Sequence, residues 1–277
     1  MQVRVCRDIT IPSDIKQARF KKSPELGPKI LFFSGGSALR GLSRELTQYT
    51  YNSIHIVTAF DSGGSSAKLR EAFQMLAVGD VRARLMDLAE QNLQGNRQIF
   101  ELFAYRFPKN KSNSELTRQL EKMVSGRHRL IARIPDPMRK IIRNHLYWFR
   151  KRMADDFDLK GASIGNLILT AGYLENRRHL DPVIYIFSKL VWVRGTVRHI
   201  ANKYLHLAAD IEDGTLVVGQ HLLTGKEVKP IQSRIKKIFI TDDPGSPYPY
   251  TLKVRKKMQK LIADSDLVCY PMGSFFS

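Results

Sequence analysis

The segment from position 61 to 66 combines the residue types that bind phosphate groups: one carboxylate, two glycines and three serines. Glycines let the backbone approach a ligand closely, and the N–H groups that open a following helix attract anions. Asp61 could hold Mg²⁺ against a diphosphate, or orient an acceptor hydroxyl in catalysis. The alternative is that Asp61 and the serines only turn the chain and cap a helix. The candidate ligand contacts in this segment are Ser62, Gly63, Gly64 and Ser65.

Two further Gly/Ser loops each follow a buried strand. The first contains Gly35, Gly36 and Ser37, and the last contains Gly273 and Ser274. The first loop matches neither the Walker A nor the dinucleotide-binding pattern. Each of the two loops could also be a simple turn. Because the carboxyl ends of parallel strands meet at one edge of a sheet, we expect the three loops to form one phosphate-binding region.

Four other positions are candidate ligand contacts. Arg70 and Arg82 could pair with phosphates in a bidentate manner, although solvated helix-face positions are the alternative, which we favour for Arg84. Asp80 has the pattern of a helix N-cap, and Asn166 could be either an N-cap or a ligand contact. The sequence contains no Gly-x-Ser-x-Gly and no His-Glu-x-x-His, so it indicates neither an esterase nucleophile nor a zinc-peptidase site.

The elements that must position these residues alternate between strands and helices. Short apolar, β-branched runs predict strands at 29–33, 54–59, 236–240 and 266–270. Apolar residues at helical spacing predict helices over 37–50, 65–76, from 80 onward, and over 166–175, 182–193 and 251–262. Ser65 or Ser66 is the expected N-cap of the helix over 65–76. Residues 196–221 alternate like antiparallel strands, with a turn at Glu212-Asp213-Gly214. We therefore expect an α/β fold: a mostly parallel sheet with helices on both faces, and a β-hairpin region.

We divide the chain into a lead-in over residues 1–28 and one domain over 29–277. Residues 108–160 differ from the rest, with 14 Lys/Arg and 6 acidic residues, and predict a basic helical insertion. The insertion could be a lid over the site, a basic docking surface or a neutral elaboration. No helix follows the last predicted strand, so we expect a continuing chain or a partner to cover that side of the sheet.

The net charge of +19 favours polyanionic partners such as nucleic acid, anionic lipid or a nucleoside diphosphate. A solvated basic surface without a specific partner is the alternative. No stretch approaches the roughly 20 apolar residues of a membrane span, and the N-terminus lacks the apolar core of a signal peptide. We therefore expect a soluble, cytoplasmic protein in which Cys6 and Cys269 stay reduced.

Several motifs in order resemble the CofD/YvcK-like family. They are Gly35–Ser37, Val57–Arg70, Val78–Arg82, Tyr105–Phe107, Gly165–Leu167, Val193–Gly195, Glu212–Thr215, Ala263–Val268 and the final Pro271–Ser274. The resemblance implies a Rossmann-like fold. One branch of this family transfers a lactyl-phosphate group from a guanosine diphosphate donor to a deazaflavin hydroxyl with Mg²⁺. The other branch, which this chain resembles more closely, binds UDP-sugars and acts in the control of cell shape and carbon metabolism.

The sequence departs from the family pattern where the chemistry would occur. The usual Asp-Asp pair is Asp61-Ser62, so one carboxylate is absent, and the first loop has fewer glycines than usual. We therefore expect a nucleotide or nucleotide-sugar binding protein. Three further properties stay open: binding of Mg²⁺, transfer of a phospho-group to an acceptor hydroxyl, and formation of a homo-oligomer. The alternative is a non-catalytic regulatory module that binds nucleic acid or another polyanion through residues 108–160.

Overall fold

A computed structural model describes residues 12–35, 39–90, 96–225 and 228–271. Its central sheet contains β1 (Ile30–Ser34), β2 (Ile54–Val57), β3 (Thr196–His199) and β7 (Leu267–Cys269). The strand order is β3-β2-β1-β7, and all neighbouring pairs are parallel. The carboxyl ends of the strands therefore share one edge of the sheet, which confirms the predicted α/β fold with a parallel sheet.

A second, smaller sheet is antiparallel and has the order β5-β4-β6. Its strands are β4 (His206–Ile211), β5 (Leu216–Val218) and β6 (Ile235–Thr241). The predicted hairpin at Asp213-Gly214 is confirmed, and Gly214 has the left-handed φ of +87° that this turn requires. The antiparallel assignment was wrong for residues 196–199, because β3 pairs in parallel with β2. Four alternating residues fit either pairing, so local pattern cannot choose between them.

Twelve helices are described, and most match predicted ones to within a few residues. They are α1 (Asp14–Lys22), α2 (Arg40–Leu46), α3 (Gly64–Phe73), α4 (Gly79–Asp87), α5 (Asn96–Ala104), α6 (Asn113–Val124), α7 (Arg129–Ala132), α8 (Met138–Arg152), α9 (Ile164–Glu175), α10 (Asp181–Leu190), α11 (Gln220–Leu223) and α12 (Lys256–Ala263). Within the described ranges, none of them has the length and apolar composition needed to span a bilayer.

Helices cover both faces of the parallel sheet. On one face, Met258 of α12 packs with Leu31, Ile54 and Ile56. On the other, Val57 and Val197 join a larger core with residues of α3, α4, α5 and α9. Because side chains alternate along a strand, neighbouring residues of β2 pack in these two separate cores.

The segment 108–160 folds as helices, as predicted, and belongs to the larger core. Helix α6 begins with a capping box formed by Ser112 and Glu115. Its Leu120 and Leu146 of α8 are fully buried in the same cluster as the residues of α9, in which Ile164–Tyr173 are all buried. The insertion is therefore a helical layer packed on α9 and shares the core of the sheet domain.

Candidate functional site

A cleft of about 920 Å³ opens where β2 ends. Its walls come from the loop after β2, the first turns of α3 and α4, the two chain segments that flank the helical insertion, and α9. The predicted contacts Asp61, Gly63, Gly64, Ser65, Asp80, Arg82 and Asn166 all line this cleft. The structure thus brings together seven positions that lie up to about a hundred residues apart in sequence.

The loop between β2 and α3 is held in a tight conformation. The backbone N–H of Gly63 donates to Asp61 Oδ1 at 3.2 Å. Gly64 has φ +50°, in the left-handed region that favours glycine. The N-cap of α3 is Gly63, so the prediction that Ser65 or Ser66 caps this helix was wrong. Because a glycine occupies the cap, the serine hydroxyls are available for other contacts.

Ser65 is the meeting point of two donors across the cleft. Its Oγ accepts from Asn166 Nδ2 at 3.1 Å and from Arg106 Nη1 at 3.0 Å. The N-cap of α9 is Ser163, so Asn166 lies inside the helix, and the N-cap alternative was wrong. Asn166 is 1% exposed, and its Oδ1 has no hydrogen-bond partner among the described residues. The side chain of Asn166 thus joins α9 to the loop after β2 at the wall of the cleft.

Two carboxylates face the same end of the cleft. Burial and the negative charge of Asp61 raise the pKa of Asp80 to about 7. Asp80 lies in the first turn of α4, whose N-cap is Val78, so the predicted capping role was wrong. Gly79 permits this approach: a Cβ there would lie 2.5 Å from Ser66 Oγ and 3.3 Å from Asp61 Oδ2.

The pair of carboxylates fits a divalent cation in its chemistry. Hard cations take oxygen ligands, and a cation would relieve the repulsion between Asp61 and Asp80. Among the described residues there is no cluster of three or more His, Cys, Asp or Glu side chains that could hold a metal by itself. A metal at Asp61 and Asp80 would therefore depend on ligand oxygens as well.

Arg82 lines the cleft from α4. Its Nη1 donates to the carbonyl of Phe103 at 3.2 Å, while its buried Nε has no partner among the described residues. Burial lowers the pKa of Arg82 to about 10, so the side chain is charged at neutral pH. Gly165 makes room for it, because a Cβ there would lie 2.7 Å from Arg82 Cδ.

Arg70 and Ser62 lie behind the loop instead of along the cleft. Arg70 is 3% exposed and donates to the carbonyls of Asp61 and Leu205. The Ser62 hydroxyl lies 2.8 Å from His221 Nδ1 and also accepts from the His221 backbone N–H at 3.1 Å. Both side chains hold the loop against the second sheet, and their ligand-binding role stays a prediction.

The other two loops are described only in part. Gly36, Ser37, Gly273 and Ser274 lie outside the described residues. Gly35 is described, and its carbonyl accepts from Arg84 Nη2 at 3.1 Å.

The prediction that Arg84 is a solvated helix-face residue was wrong. It is 1% exposed, because its guanidinium is satisfied internally by Asp87, by the Ser43 hydroxyl and by the Gly35 carbonyl. Asp87 also pairs with Arg40 and Arg44. This buried cluster ties α2 and α4 to the end of β1.

Five basic residues of the cleft were missed by sequence reasoning: Arg40, Lys68, Arg106, Lys109 and Lys160. Lys109 and Lys160 stand at the two ends of the insertion. Backbone hydrogen bonds from Phe107 to Ala162 (2.9 Å) and from Gly161 to Phe107 (3.0 Å) bring these ends together. The position of the insertion could have identified Lys109 and Lys160, because a chain that leaves a domain and re-enters it must do so at neighbouring points. Lys68 crosses from α3 to the Lys160 carbonyl at 3.0 Å.

Known proteins with similar sequences share most of this chain. It is 27% identical over 256 residues to a gluconeogenesis factor of Listeria innocua, covering 92% of this chain and 60% of the relative. It is 29% identical to the gluconeogenesis factor of Bacillus subtilis over 90% of this chain and 59% of the relative. The chain thus spans about three fifths of the length of these relatives.

A crystal structure of a UPF0052 family member from Bacillus halodurans has the same fold, with a TM-score of 0.60 and 25% sequence identity. The match covers 89% of this chain and 59% of that one. The family described as 2-phospho-L-lactate transferase CofD matches residues 30–277, which is nearly the whole described fold. The chain therefore belongs to the CofD family, and its similar relatives are of the YvcK-like, gluconeogenesis-factor type.

Proposed function

We propose that the cleft binds a nucleoside diphosphate ester, such as a nucleotide sugar. The observation that carries the proposal is the composition of one cleft: a Gly/Ser loop before a helix, two carboxylates and six basic side chains. The basic residues are Arg40, Lys68, Arg82, Arg106, Lys109 and Lys160. This excess of positive charge, in a concave site, favours a ligand with several negative charges.

The diphosphate would lie on the loop of residues 63–65 and at the start of α3. Backbone N–H groups and the positive end of the helix dipole favour an anion there. Arg82 and Arg106 both line the cleft at this position, and Arg106 Nη1 already donates to Ser65 Oγ. The ligand would therefore meet donors on both sides of the loop.

A Mg²⁺ ion would be held by Asp61 and Asp80, which both line the cleft. When bound, the ion would neutralise charge between the two carboxylates and the diphosphate oxygens. The absent second carboxylate of the Asp61-Ser62 step would thus be replaced by Asp80, which the first turn of α4 supplies. Metal binding would also favour the ionised form of Asp80, whose pKa is about 7 without the ion.

A transfer reaction in this cleft would be attack of an acceptor hydroxyl on the phosphorus that carries the ester group. The new P–O bond forms to the acceptor, the anhydride P–O bond breaks, and a nucleoside monophosphate leaves. In the metal-free cleft Asp61 would accept the hydroxyl proton; with Mg²⁺ on both carboxylates the proton would pass to solvent water. The basic residues would stabilise the charge on the transferred and leaving groups.

Thermal unfolding with GDP, UDP and a UDP-sugar, each with and without Mg²⁺, tests the proposal. We expect a ligand-dependent rise in Tm, larger with Mg²⁺, since a ligand at about 100 times its Kd stabilises by roughly 2.7 kcal/mol. Asp61→Ala should weaken Mg²⁺-dependent binding at least about tenfold, whereas Asp156→Ala, an exposed carboxylate on the insertion, should leave it unchanged. Absence of a shift with every nucleotide at millimolar concentration would refute the proposal.

A further inference from the structure

Both tryptophans of this chain are exposed to solvent. Trp148, on α8, is 36% exposed, and Trp192, just after α10, is 67% exposed. Indole side chains contribute large apolar area and are on average well buried in folded proteins. The exposure of both tryptophans therefore marks their surroundings as a candidate contact surface.

Exposed tyrosines and lysines accompany the two tryptophans. Tyr147 is 42% exposed, packs edge-to-face on Trp148 at 5.4 Å and has Lys151 Nζ 5.8 Å from its ring centre. On α10, Tyr185 is 60% exposed, with Lys189 Nζ 5.7 Å from its ring. Each of the two helices thus presents a paired aromatic ring and ammonium group.

The two helices are neighbours in the fold. His145 of α8 and Phe187 of α10 are in edge-to-face contact at 5.4 Å, and both helices pack on α9. We define the aromatic–lysine face as the exposed residues that these helices and the turn after α10 contribute. They are Lys140, Tyr147, Trp148 and Lys151, together with Tyr185, Lys189 and Trp192.

The charged residues of α8 are all basic. The helix contains six Lys/Arg residues and no acidic residue. Its arginines are engaged, since Arg139, Arg150 and Arg152 pair with carboxylates and Arg143 donates to the Val124 carbonyl. Lys140 and Lys151 are exposed and form no ion pair with any described residue. They lie eleven residues apart, roughly 16 Å along the helix at 1.5 Å per residue.

We propose that the aromatic–lysine face binds single-stranded nucleic acid. Unpaired bases would stack on the indole and phenol rings, while the lysine ammonium groups would contact the phosphates. Tyr147 and Tyr185 have an ammonium group 5.8 Å and 5.7 Å from the ring centre, respectively, and the net charge of +19 favours a polyanion, so each helix offers a base-stacking ring beside a phosphate-binding cation. The face belongs to α8 and α10, so this binding does not depend on the ligand of the cleft.

The composition of the face favours nucleic acid over a lipid surface. A helix that enters a bilayer interface presents aliphatic and aromatic residues on its apolar face. Here the apolar face of α8 is buried, with Ile142, Leu146 and Phe149 in the core. The large apolar residues that α8 and α10 do expose, within the described structure, are all aromatic.

Titration with a fluorescein-labelled 12-nucleotide RNA tests the proposal by two readouts. Because the only tryptophans of the chain lie on this face, stacking should quench the intrinsic fluorescence as the anisotropy of the RNA rises. Each single-tryptophan variant, Trp148→Phe and Trp192→Phe, should retain quenching from the remaining indole. A DNA strand of the same sequence tests whether the 2′-hydroxyl contributes, and a duplex should bind less tightly because its bases are already stacked.

The matched variants separate stacking from general charge attraction. Tyr147→Ala/Trp148→Ala should weaken binding at least about fivefold, the loss expected from one stacked base, whereas Tyr248→Ala, another exposed tyrosine, should not. Lys151→Gln should reduce the slope of log K against log salt by about 0.7, the value for one phosphate contact in a single strand. Anisotropy that rises without quenching, binding unaffected by the double variant, or quenching by anionic phosphatidylglycerol vesicles alone would overturn the proposal.

Discussion

The ionisation of Asp80 depends directly on the environment inside the cleft. Its pKa of about 7 in the folded chain lies above the ordinary value of 3.8, because burial and Asp61 disfavour its charged form. Between these two pH values the folded state binds more protons than the unfolded state. The contribution of Asp80 to the free energy of unfolding therefore falls as the pH rises from about 4 to about 7. Above pH 7 the carboxylate is ionised in both states, so the free-energy cost of holding a buried charged carboxylate no longer changes with pH.

Replacing Asp80 by Asn should remove this cost. We expect Asp80→Asn to match the wild type near pH 4 and to be more stable at pH 8, by up to about 4 kcal/mol at 1.36 kcal/mol per pKa unit. Urea unfolding across pH 4–8 measures the difference. Asp156→Asn serves as the control, since this carboxylate is exposed. A constant offset between wild type and Asp80→Asn at every pH would show that Asp80 is not perturbed.

At the scale of elements, the cleft depends on how closely α4 approaches the loop after β2. Gly79 is the first residue of α4, and an added Cβ would lie 2.5 Å from Ser66 Oγ. Because Ser66 is buried, its side chain has little room to move. Gly41, in the exposed part of α2, provides a matched glycine with nothing within 4 Å of an added Cβ.

We therefore expect opposite results from the same substitution in two helices. Gly79→Ala should displace Ser66 and Asp61 and weaken nucleotide binding about tenfold or more, with a loss of stability of roughly 1–3 kcal/mol from overpacking. Gly41→Ala should raise stability by about 0.5–1 kcal/mol, through helix propensity, and leave binding unchanged. Calorimetric titration and urea unfolding of both variants provide the measurements. Equal effects of the two substitutions would contradict this role of Gly79.

The elements themselves could be predicted because their signals are local. The apolar run that predicts a strand at 54–59 forms β2 at 54–57, and the Asp213-Gly214 turn joins β4 to β5 as predicted. The pairing of β3 could not be predicted, since its partner β2 lies about 140 residues earlier. Helix starts were also misplaced at Ser65 and Asp80, because a capping residue was inferred where glycine or valine occupies the cap.

The sequence named Asp80, Arg82 and Asn166 as candidate contacts, but local patterns did not show how these residues would be arranged around the loop. The loop at 61–66 was found, but Asp80 was not recognised as the second carboxylate because α4 brings it back beside Asp61. Arg84 was assigned to solvent because its acceptors include a carbonyl 49 residues away. Burial of an arginine is decided by such distant acceptors, which a local pattern does not contain.

At the scale of the whole molecule, the helical insertion and the sheet share one core. Leu120 of α6 and Phe149 of α8 belong to the same buried cluster as Val57 of β2 and Val197 of β3. Two bodies with separate cores could unfold separately, whereas residues that share a core lose their packing together. The insertion also supplies Lys109 and Lys160 to the cleft, so its folding and the formation of the site are linked.

The two tryptophans allow this linkage to be tested, because Trp148 lies in the insertion and Trp192 beyond it. We expect Trp148→Phe and Trp192→Phe, each with one remaining indole, to give coincident urea transitions by fluorescence and by far-UV circular dichroism, with midpoints within about 0.3 M of each other. Both side chains are exposed, so replacement by Phe leaves the core intact. An early transition reported by Trp148 alone would show that the insertion is an independent unit. In that case Lys109 and Lys160 would be positioned independently of Asp61 and Asp80, and unfolding of the insertion would lower nucleotide affinity without affecting metal binding.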